Sequence, residues 1–247
     1  WDRLAPALLA EGHAVVRFDY PNDQPAADSA GLLRDALADL HAQGVGELAI
    51  VAHSMGGLLA RDALTRPGPG LPPTPVLITL GTPFAGSPFT GFQPLAEARE
   101  HAQRYLASDD RDPARLLAGL HDGRGEARHD LAPDSAYLTE LMARPWPPRT
   151  PPGNAPTRLV CIAAVIAGDP ADPGPFAARL GDGVVPLDSA IAPDADEALR
   201  VQANHRSMVR PIEAADWLRA ALGLPPGPTP PAVPLVLERV GAEGTRH

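Results

Sequence analysis

Short apolar segments alternate with helical segments along this chain, and the alternation limits the fold more than any other feature of the sequence. Strand character is predicted for residues 13–20, 47–53, 75–80, 158–167 and 198–202. Helices are predicted for residues 1–11, 28–43, 55–65 and 206–222 from their apolar periodicity. Strands that alternate with helices form a mostly parallel sheet, because each crossover helix covers one face of it. The chain is therefore predicted to be an α/β protein with helices on both faces of its sheet.

The alternation stops between residues 87 and 143. This stretch has no strand pattern and contains helical pieces near residues 95–106, 113–120 and 135–142. We expect it to form a helical cap above the carboxyl ends of the strands, where open α/β sheets bind their ligands. A proline-rich connector follows at 144–156. One domain is predicted over residues 1–222, and a proline-rich tail at 223–247 is expected to dock loosely or be disordered.

Composition argues against several classes of function. The net charge of −9 argues against a nucleic-acid partner, since such proteins present basic surfaces. The longest apolar run, residues 159–168, is far shorter than the roughly 20 residues of a membrane-spanning helix, and no signal peptide is visible. The single cysteine, Cys161, lies in that run and is interpreted as a buried, inert thiol. Localisation and oligomeric state stay open.

The sharpest local motif is Ala-His-Ser-Met-Gly-Gly at residues 52–57, between a predicted strand and a predicted helix. A serine at a tight strand-to-helix turn needs small neighbours, here Ala52 and Gly56, because the backbone is strained and the helix packs closely. The helix N-terminus that follows directs free N–H groups at developing negative charge. Ser54 is therefore predicted to be a nucleophile, with a plain helix N-cap as the alternative.

Three motifs resemble those of the α/β-hydrolase superfamily, in the form seen in bacterial lipases. The first is residues 52–57, where Ala52 stands in place of the usual glycine. The second is Gly-Thr-Pro-Phe-Ala-Gly-Ser-Pro at residues 81–88, and the third, similar to an acid-bearing loop, is Gly-Asp-Gly-Val-Val-Pro-Leu-Asp-Ser at 181–189. The resemblance covers about residues 1–222. It implies an α/β-hydrolase fold and a small-molecule or lipid ester as substrate, with no cofactor.

A serine hydroxyl becomes a good nucleophile when a base takes its proton and a carboxylate orients that base. In this superfamily the acid and then the histidine follow the serine along the chain. His205 comes after a predicted strand and is the expected base, a helix-capping histidine being the alternative. Asp182, set between glycines, is the expected acid, with Asp169 and Asp188 as alternatives that would serve as turn residues.

The histidines at 101, 121, 129 and 247 are disfavoured as the base, because the first three lie in the insertion and the last ends the sequence. His53 adjoins Ser54 and is interpreted as a structural hydrogen-bonding residue rather than a catalytic one. The backbone N–H of Met55 is the expected oxyanion donor. In the superfamily a second donor precedes the helix that corresponds to residues 1–11, so we expect that donor and the N-terminal strands to be missing from this sequence.

Together these features predict a serine hydrolase that cleaves carboxylic esters, as a lipase or esterase, through an acyl-enzyme on Ser54. Phe84 and Phe89 are candidates for lining the acyl pocket, with core packing as the alternative. An acyltransferase or thioesterase on the same residues, or a non-catalytic binding protein of this fold, stays possible, because the choice of leaving group depends on pocket shape. No metal or cofactor site is predicted.

Overall fold

A parallel sheet lies at the centre of the computed structural model, which describes residues 1, 3–21, 24–66, 70–88, 127–148, 155–209 and 229–244. In these ranges the strands are β1 (Ile50–His53), β2 (Val76–Leu80), β3 (Arg158–Val165) and β4 (Glu197–Gln202). They pair in parallel in the order β1-β2-β3-β4. The predicted α/β class is therefore confirmed.

Helices cover both faces of this sheet. Within the described ranges they are α1 (Leu4–Ala10), α2 (Ala26–Ala42), α3 (Met55–Thr65), α4 (Ala127–Asp130), α5 (Ala136–Ala143), α6 (Gly174–Leu180) and α7 (Ala232–Gly244). On one face, α2, α3 and α5 share a buried cluster with Leu77 and Leu159. On the other, α1 and α7 pack against Ile78 and Ile162. Neighbouring strand residues thus point to opposite faces, and both faces are buried.

The extended segment at residues 13–20 is the main error of the strand predictions. It belongs to no strand, and the backbone groups of residues 14–20 make no hydrogen bond with any described residue. Val16 is 69% exposed, and a cavity separates the segment from β1. A β-rich sequence becomes a strand when a neighbour completes its backbone hydrogen bonds, and none of the described segments does so here.

The end of the chain also differs from expectation. Residues 232–244 form α7, and Val233 and Val236 are buried against the sheet. Arg239 of α7 also pairs with Glu197 of β4, with a shortest N–O distance of 2.6 Å. The expectation of a loosely docked or disordered tail is therefore wrong over this range. The prediction relied on the proline content of the whole tail and overlooked the apolar face of this helix.

Other predicted helices have different outcomes. The piece predicted at 135–142 corresponds to α5, whose N-cap Ser135 accepts a hydrogen bond from the Leu138 N–H at 3.2 Å. Those at 95–106 and 113–120 lie outside the described residues. Of the helix predicted at 206–222, only residues 206–209 are described, and they form turns. The short helix α6 was not predicted. In the portion described, no helix has both the length and the apolar character to cross a membrane.

Candidate active site

Ser54 occupies a strained turn between β1 and α3. Its φ of 56° and ψ of −133° are rare for a residue with a side chain. Its N–H donates to the Leu80 carbonyl of β2 at 2.9 Å, and its own carbonyl accepts from the Gly57 N–H at 3.1 Å. These bonds hold the turn from both sides, at the carboxyl end of the sheet, where the sequence predicted a nucleophile.

The sequence predicted that small residues are needed at Ala52 and Gly56, but the tightest contact in the structure is at Gly57. A Cβ on Gly56 would lie 3.9 Å from the Ala52 Cβ and 3.6 Å from the Tyr20 hydroxyl, which is ordinary contact. A Cβ on Gly57 would lie 2.1 Å from the Thr82 Oγ1, which is impossible without rearrangement. The close approach is therefore between α3 and the loop after β2, at Gly57.

Thr82 of the second motif lies beside Ser54 and contacts its backbone. It is fully buried, and its Oγ1 donates to the Ser54 carbonyl at 2.9 Å. The loop that carries it is tied in turn to the acid-bearing loop, because Ser189 Oγ donates to the Gly86 carbonyl at 2.6 Å. The second and third motifs thus form one hydrogen-bonded unit beside the serine.

His205 lies on the turn beyond β4 and reaches Ser54 across the edge of the sheet. Its Nε2 is 2.9 Å from Ser54 Oγ, and its Nδ1 is 2.7 Å from Asp182 Oδ2. Since an ionised carboxylate only accepts, Nδ1 carries the proton, and Nε2 is left to accept from the serine hydroxyl. The side chains predicted as nucleophile, base and acid are therefore brought together in one hydrogen-bonded chain.

Asp182 is held rigidly in the third motif. Its side chain is 1% exposed, and its Oδ1 accepts from the backbone N–H groups of Val184 and Val185 at 2.9 and 2.7 Å. Those donors occupy one carboxylate oxygen and leave the other for His205. These hydrogen bonds fix the orientation of the carboxylate.

The alternative acids serve as turn residues instead. Asp169 is exposed, and its Oδ1 accepts from the Ala171 N–H at 2.9 Å. Asp188 is exposed as well, and its Oδ1 accepts from the Ser189 N–H at 2.9 Å. Of the other candidate histidines, His129 is exposed on α4, and those at 101, 121 and 247 lie outside the described residues. The placement thus favours Asp182 and His205.

Gly81 leaves the room that the acid and the base need. Its φ of 57° is one that glycine adopts without strain. A Cβ at this position would lie 2.8 Å from Asp182 Oδ2 and 3.2 Å from His205 Nδ1. The backbone of the second motif therefore passes directly beside the hydrogen bond between these two side chains.

A cavity of about 1110 Å³ opens at the serine. Ser54, Met55 and His205 line it together with apolar side chains of α1 and α2. The Met55 N–H, first in α3, donates to no described residue, which is what an oxyanion donor requires. Tyr20, which the sequence did not single out, also lines the cavity, and burial raises the pKa of its phenol to about 12.

Phe84, one of the two predicted pocket phenylalanines, does not line the cavity that contains Ser54. Phe84 is 3% exposed and packs in the core cluster of α2, α3 and α5, away from the cavity that contains Ser54. The core-packing alternative fits this position. Phe89 lies outside the described residues. Cys161 is fully buried in β3, and burial raises the pKa of its thiol.

The part of the chain that the structure describes contains no group of three or more histidine, cysteine, aspartate or glutamate side chains placed to hold an ion. Ser54, His205 and Met55 line the cavity, and Asp182 lies behind the His205 imidazole, so a hydroxyl, an imidazole with its carboxylate and the first N–H of α3 lie close together. This set can activate a hydroxyl and stabilise a nearby negative charge.

A parallel sheet covered by helices, with its candidate site at the carboxyl ends of the strands, is the architecture of the α/β hydrolases. The chain belongs to the alpha/beta hydrolase family, whose model matches residues 1–237. Membership and fold together make it a hydrolase-family protein, as the motifs predicted. No curated protein matches the chain.

Solved structures of similar fold include hydrolases with low sequence identity. The mature form of the Bacillus licheniformis lipase BlEst2 is 18% identical, with a TM-score of 0.52 over 82% of this chain and 76% of that one. The propeptide form is 17% identical, with a TM-score of 0.54 over 92% of this chain, which spans 46% of its length. The RedJ thioesterase of Streptomyces coelicolor is 23% identical, with a TM-score of 0.36 over 81% and 70% of the two chains.

Proposed function

We propose that this protein hydrolyses carboxylic esters through an acyl-enzyme on Ser54. The observation that carries the proposal is the hydrogen-bonded chain from Ser54 Oγ to His205 Nε2, at 2.9 Å, and from His205 Nδ1 to Asp182 Oδ2, at 2.7 Å. Both distances lie within reach for proton transfer and orientation. The strained backbone of Ser54 adds support, since strain at a non-glycine residue persists where the surroundings enforce it and concentrates at functional sites.

The first half of the reaction transfers the acyl group to the serine. Ser54 Oγ attacks the ester carbonyl carbon while His205 Nε2 takes the hydroxyl proton, and the carbonyl oxygen becomes an oxyanion near the Met55 N–H. Asp182 stays ionised and stabilises the imidazolium. As the carbon–oxygen bond to the leaving group breaks, His205 gives its proton to the departing alcohol, and the acyl-enzyme remains.

The second half uses water as the nucleophile. His205 takes a proton from water, whose oxygen attacks the acyl carbonyl, and the second oxyanion forms at the same place. Collapse of this intermediate breaks the bond to Ser54 Oγ, which recovers its proton from His205. The products are an alcohol and a carboxylic acid, and no cofactor takes part.

An apolar acyl group fits the lining of the cavity. Leucine side chains of α1 and α2 line it, together with Ser54, His205 and polar side chains such as those of Asp39 and Gln43. Apolar walls with a few convergent polar groups are typical of small-molecule sites. The lipase BlEst2 shares the fold, which is compatible with an ester substrate.

The test is hydrolysis of p-nitrophenyl esters of increasing acyl length, by the chain and by its Ser54→Ala variant. We expect turnover that the substitution abolishes, and the length profile separates an esterase from a lipase. A matched acyl thioester in the same assay measures thioesterase activity. A folded protein with no Ser54-dependent turnover of either substrate would refute the proposal and favour a binding role for this fold.

A further inference from the structure

The residue before the nucleophile contacts the backbone of the base. His53 Nε2 lies 2.7 Å from the His205 carbonyl oxygen, although the two residues are 152 positions apart in the sequence. Since a carbonyl oxygen only accepts, Nε2 of His53 carries a proton and donates it. The two imidazole rings lie with their centroids 4.6 Å apart. His53 is therefore bonded to the main chain of the residue whose side chain must reach Ser54.

His205 needs such an anchor because of where it lies. Strand β4 ends at Gln202, and His205 begins a series of turns at residues 205–209 rather than a regular element. Its N–H donates to the Asp182 carbonyl at 2.9 Å, which holds one side of its backbone. The bond from His53 holds the other side. Without it, the hydrogen bonds that His205 itself makes with described residues would be those to Asp182 and Ser54, although Asn204 Oδ1 still holds the turn by accepting from the Arg206 and Ser207 N–H groups.

We propose that His53 is a positioning residue for the base, acting through the hydrogen bond from its Nε2 to the His205 carbonyl. His53 then bonds to the His205 carbonyl, and the adjacent Ser54 bonds to His205 Nε2. Because residues 53 and 54 are neighbours, the two bonds together fix the distance between the base and the nucleophile. The inference rests on the proposed function in one respect, namely that His205 activates Ser54. It does not depend on the substrate being an ester.

The matched variants are His53→Gln and His53→Asn. Glutamine places an amide N–H about as far from the backbone as Nε2, whereas asparagine is one bond shorter and places it near the position of Nδ1. Glutamine therefore retains the donor to the His205 carbonyl, and asparagine loses it while staying polar. His53→Ala removes the side chain, and His41→Ala, on the exposed surface of α2, serves as a histidine control.

The first readout is the rate at which a fluorophosphonate labels Ser54, with Ser54→Ala as the blank. This reaction reports activation of the serine and requires no substrate. We expect His53→Ala and His53→Asn to label about 10- to 100-fold more slowly than the wild-type chain, the scale of loss for a misplaced catalytic group. His53→Gln should recover most of the rate. In ester turnover the loss should fall on kcat, with KM little changed.

Several results would overturn the proposal. The proposal is wrong if His53→Asn is labelled as fast as the wild-type chain. It is also wrong if His53→Gln is folded but is labelled no faster than His53→Asn. An unlabelled wild-type chain would overturn it too, because His53 would then have no activated serine to position. If labelling follows the expected pattern while no ester is hydrolysed, the positioning role stands, and the ester substrate alone is refuted. Melting temperatures measured in parallel identify any variant that fails to fold, and the glutamine–asparagine pair decides the test if alanine does not fold.

Discussion

Asp182 and His205 are joined twice, once through their side chains and once through their backbones. Asp182 Oδ2 lies 2.7 Å from His205 Nδ1, and the His205 N–H donates to the Asp182 carbonyl at 2.9 Å. The backbone bond sets the separation of the two loops, so the side-chain bond forms between groups that are already in place. Such preorganisation avoids the entropy cost of assembling the site at the moment of reaction.

Replacing the carboxylate should disable the base while leaving the fold intact. In Asp182→Asn the amide can donate to Nδ1, which favours the imidazole tautomer that cannot accept from Ser54. On the proposed mechanism we expect kcat to fall on the order of 10⁴-fold. Steady-state kinetics measure this, with Asp188→Asn, an exposed turn residue of the same loop, as the control. Equal activity in the two variants would rule out Asp182 as the orienting acid.

Adding a methyl group at Gly81 should separate the acid from the base. The new Cβ would lie 2.8 Å from Asp182 Oδ2, and alanine is strained at a φ of 57°. We expect Gly81→Ala to lower kcat by about 100-fold and the free energy of unfolding by about 1 kcal/mol or more. Gly46→Ala is the matched control, since its Cβ would meet nothing within 4 Å. Full activity in Gly81→Ala would contradict the prediction, because a Cβ at position 81 would then not disturb the bond between Asp182 and His205.

The hydroxyl of Thr82 should stabilise the turn at the serine. Thr82→Val keeps the shape of the side chain but removes the bond to the Ser54 carbonyl, and Thr82→Ser keeps the bond but removes a methyl group. We expect the valine variant to lose about 1 kcal/mol of unfolding free energy, because the Ser54 carbonyl still accepts from Gly57. Its kcat should also fall. Chemical denaturation and ester turnover test this, and a serine variant less active than the valine variant would contradict the assignment.

The attachment of α7 to β4 should weaken in acid. The hydrogen bond from Arg239 lowers the pKa of the Glu197 carboxyl below its ordinary value. The folded state therefore binds this proton more weakly than the unfolded state does. The stability that the Glu197–Arg239 pair contributes is complete above the ordinary glutamate pKa of about 4.3. It is lost as the pH falls through the lower pKa of Glu197 in the folded state.

Glu197→Gln should accordingly lower the free energy of unfolding by about 0.5–1 kcal/mol at pH 7, a value suited to a partly exposed pair. The difference from the wild-type chain should narrow as the pH falls below about 4. Denaturation curves over this pH range measure it. Glu238→Gln is the control, because Glu238 also contacts Arg239 but its side chain is 72% exposed. A penalty that stayed constant in acid would contradict the ion-pair explanation.

Local signals were sufficient for the nucleophile turn and its helix. The boundaries predicted for α3 agree with Met55–Thr65, because the strained serine, the two glycines and the apolar periodicity all act within a few residues. Strands β1, β2 and β3 were predicted for the same reason, from the continuous apolar runs that are typical of a parallel sheet, whereas β4 alternates apolar and polar residues and most of it is not buried. Residues 13–20 have comparable β propensity but no described partner, so propensity alone misled the prediction.

The sequence by itself therefore determined the α/β class, the turn that presents Ser54, and a short set of possible acids and bases. Tertiary structure decided which of them meet. Asp182 rather than Asp169 or Asp188 reaches His205, Phe84 packs in the core, and the His53 imidazole bonds to the backbone of the base. Turns and helices depend on contacts between near neighbours, which a pattern reveals. The site depends on loops far apart in sequence that approach one another only because the parallel strands end at the same edge of the sheet.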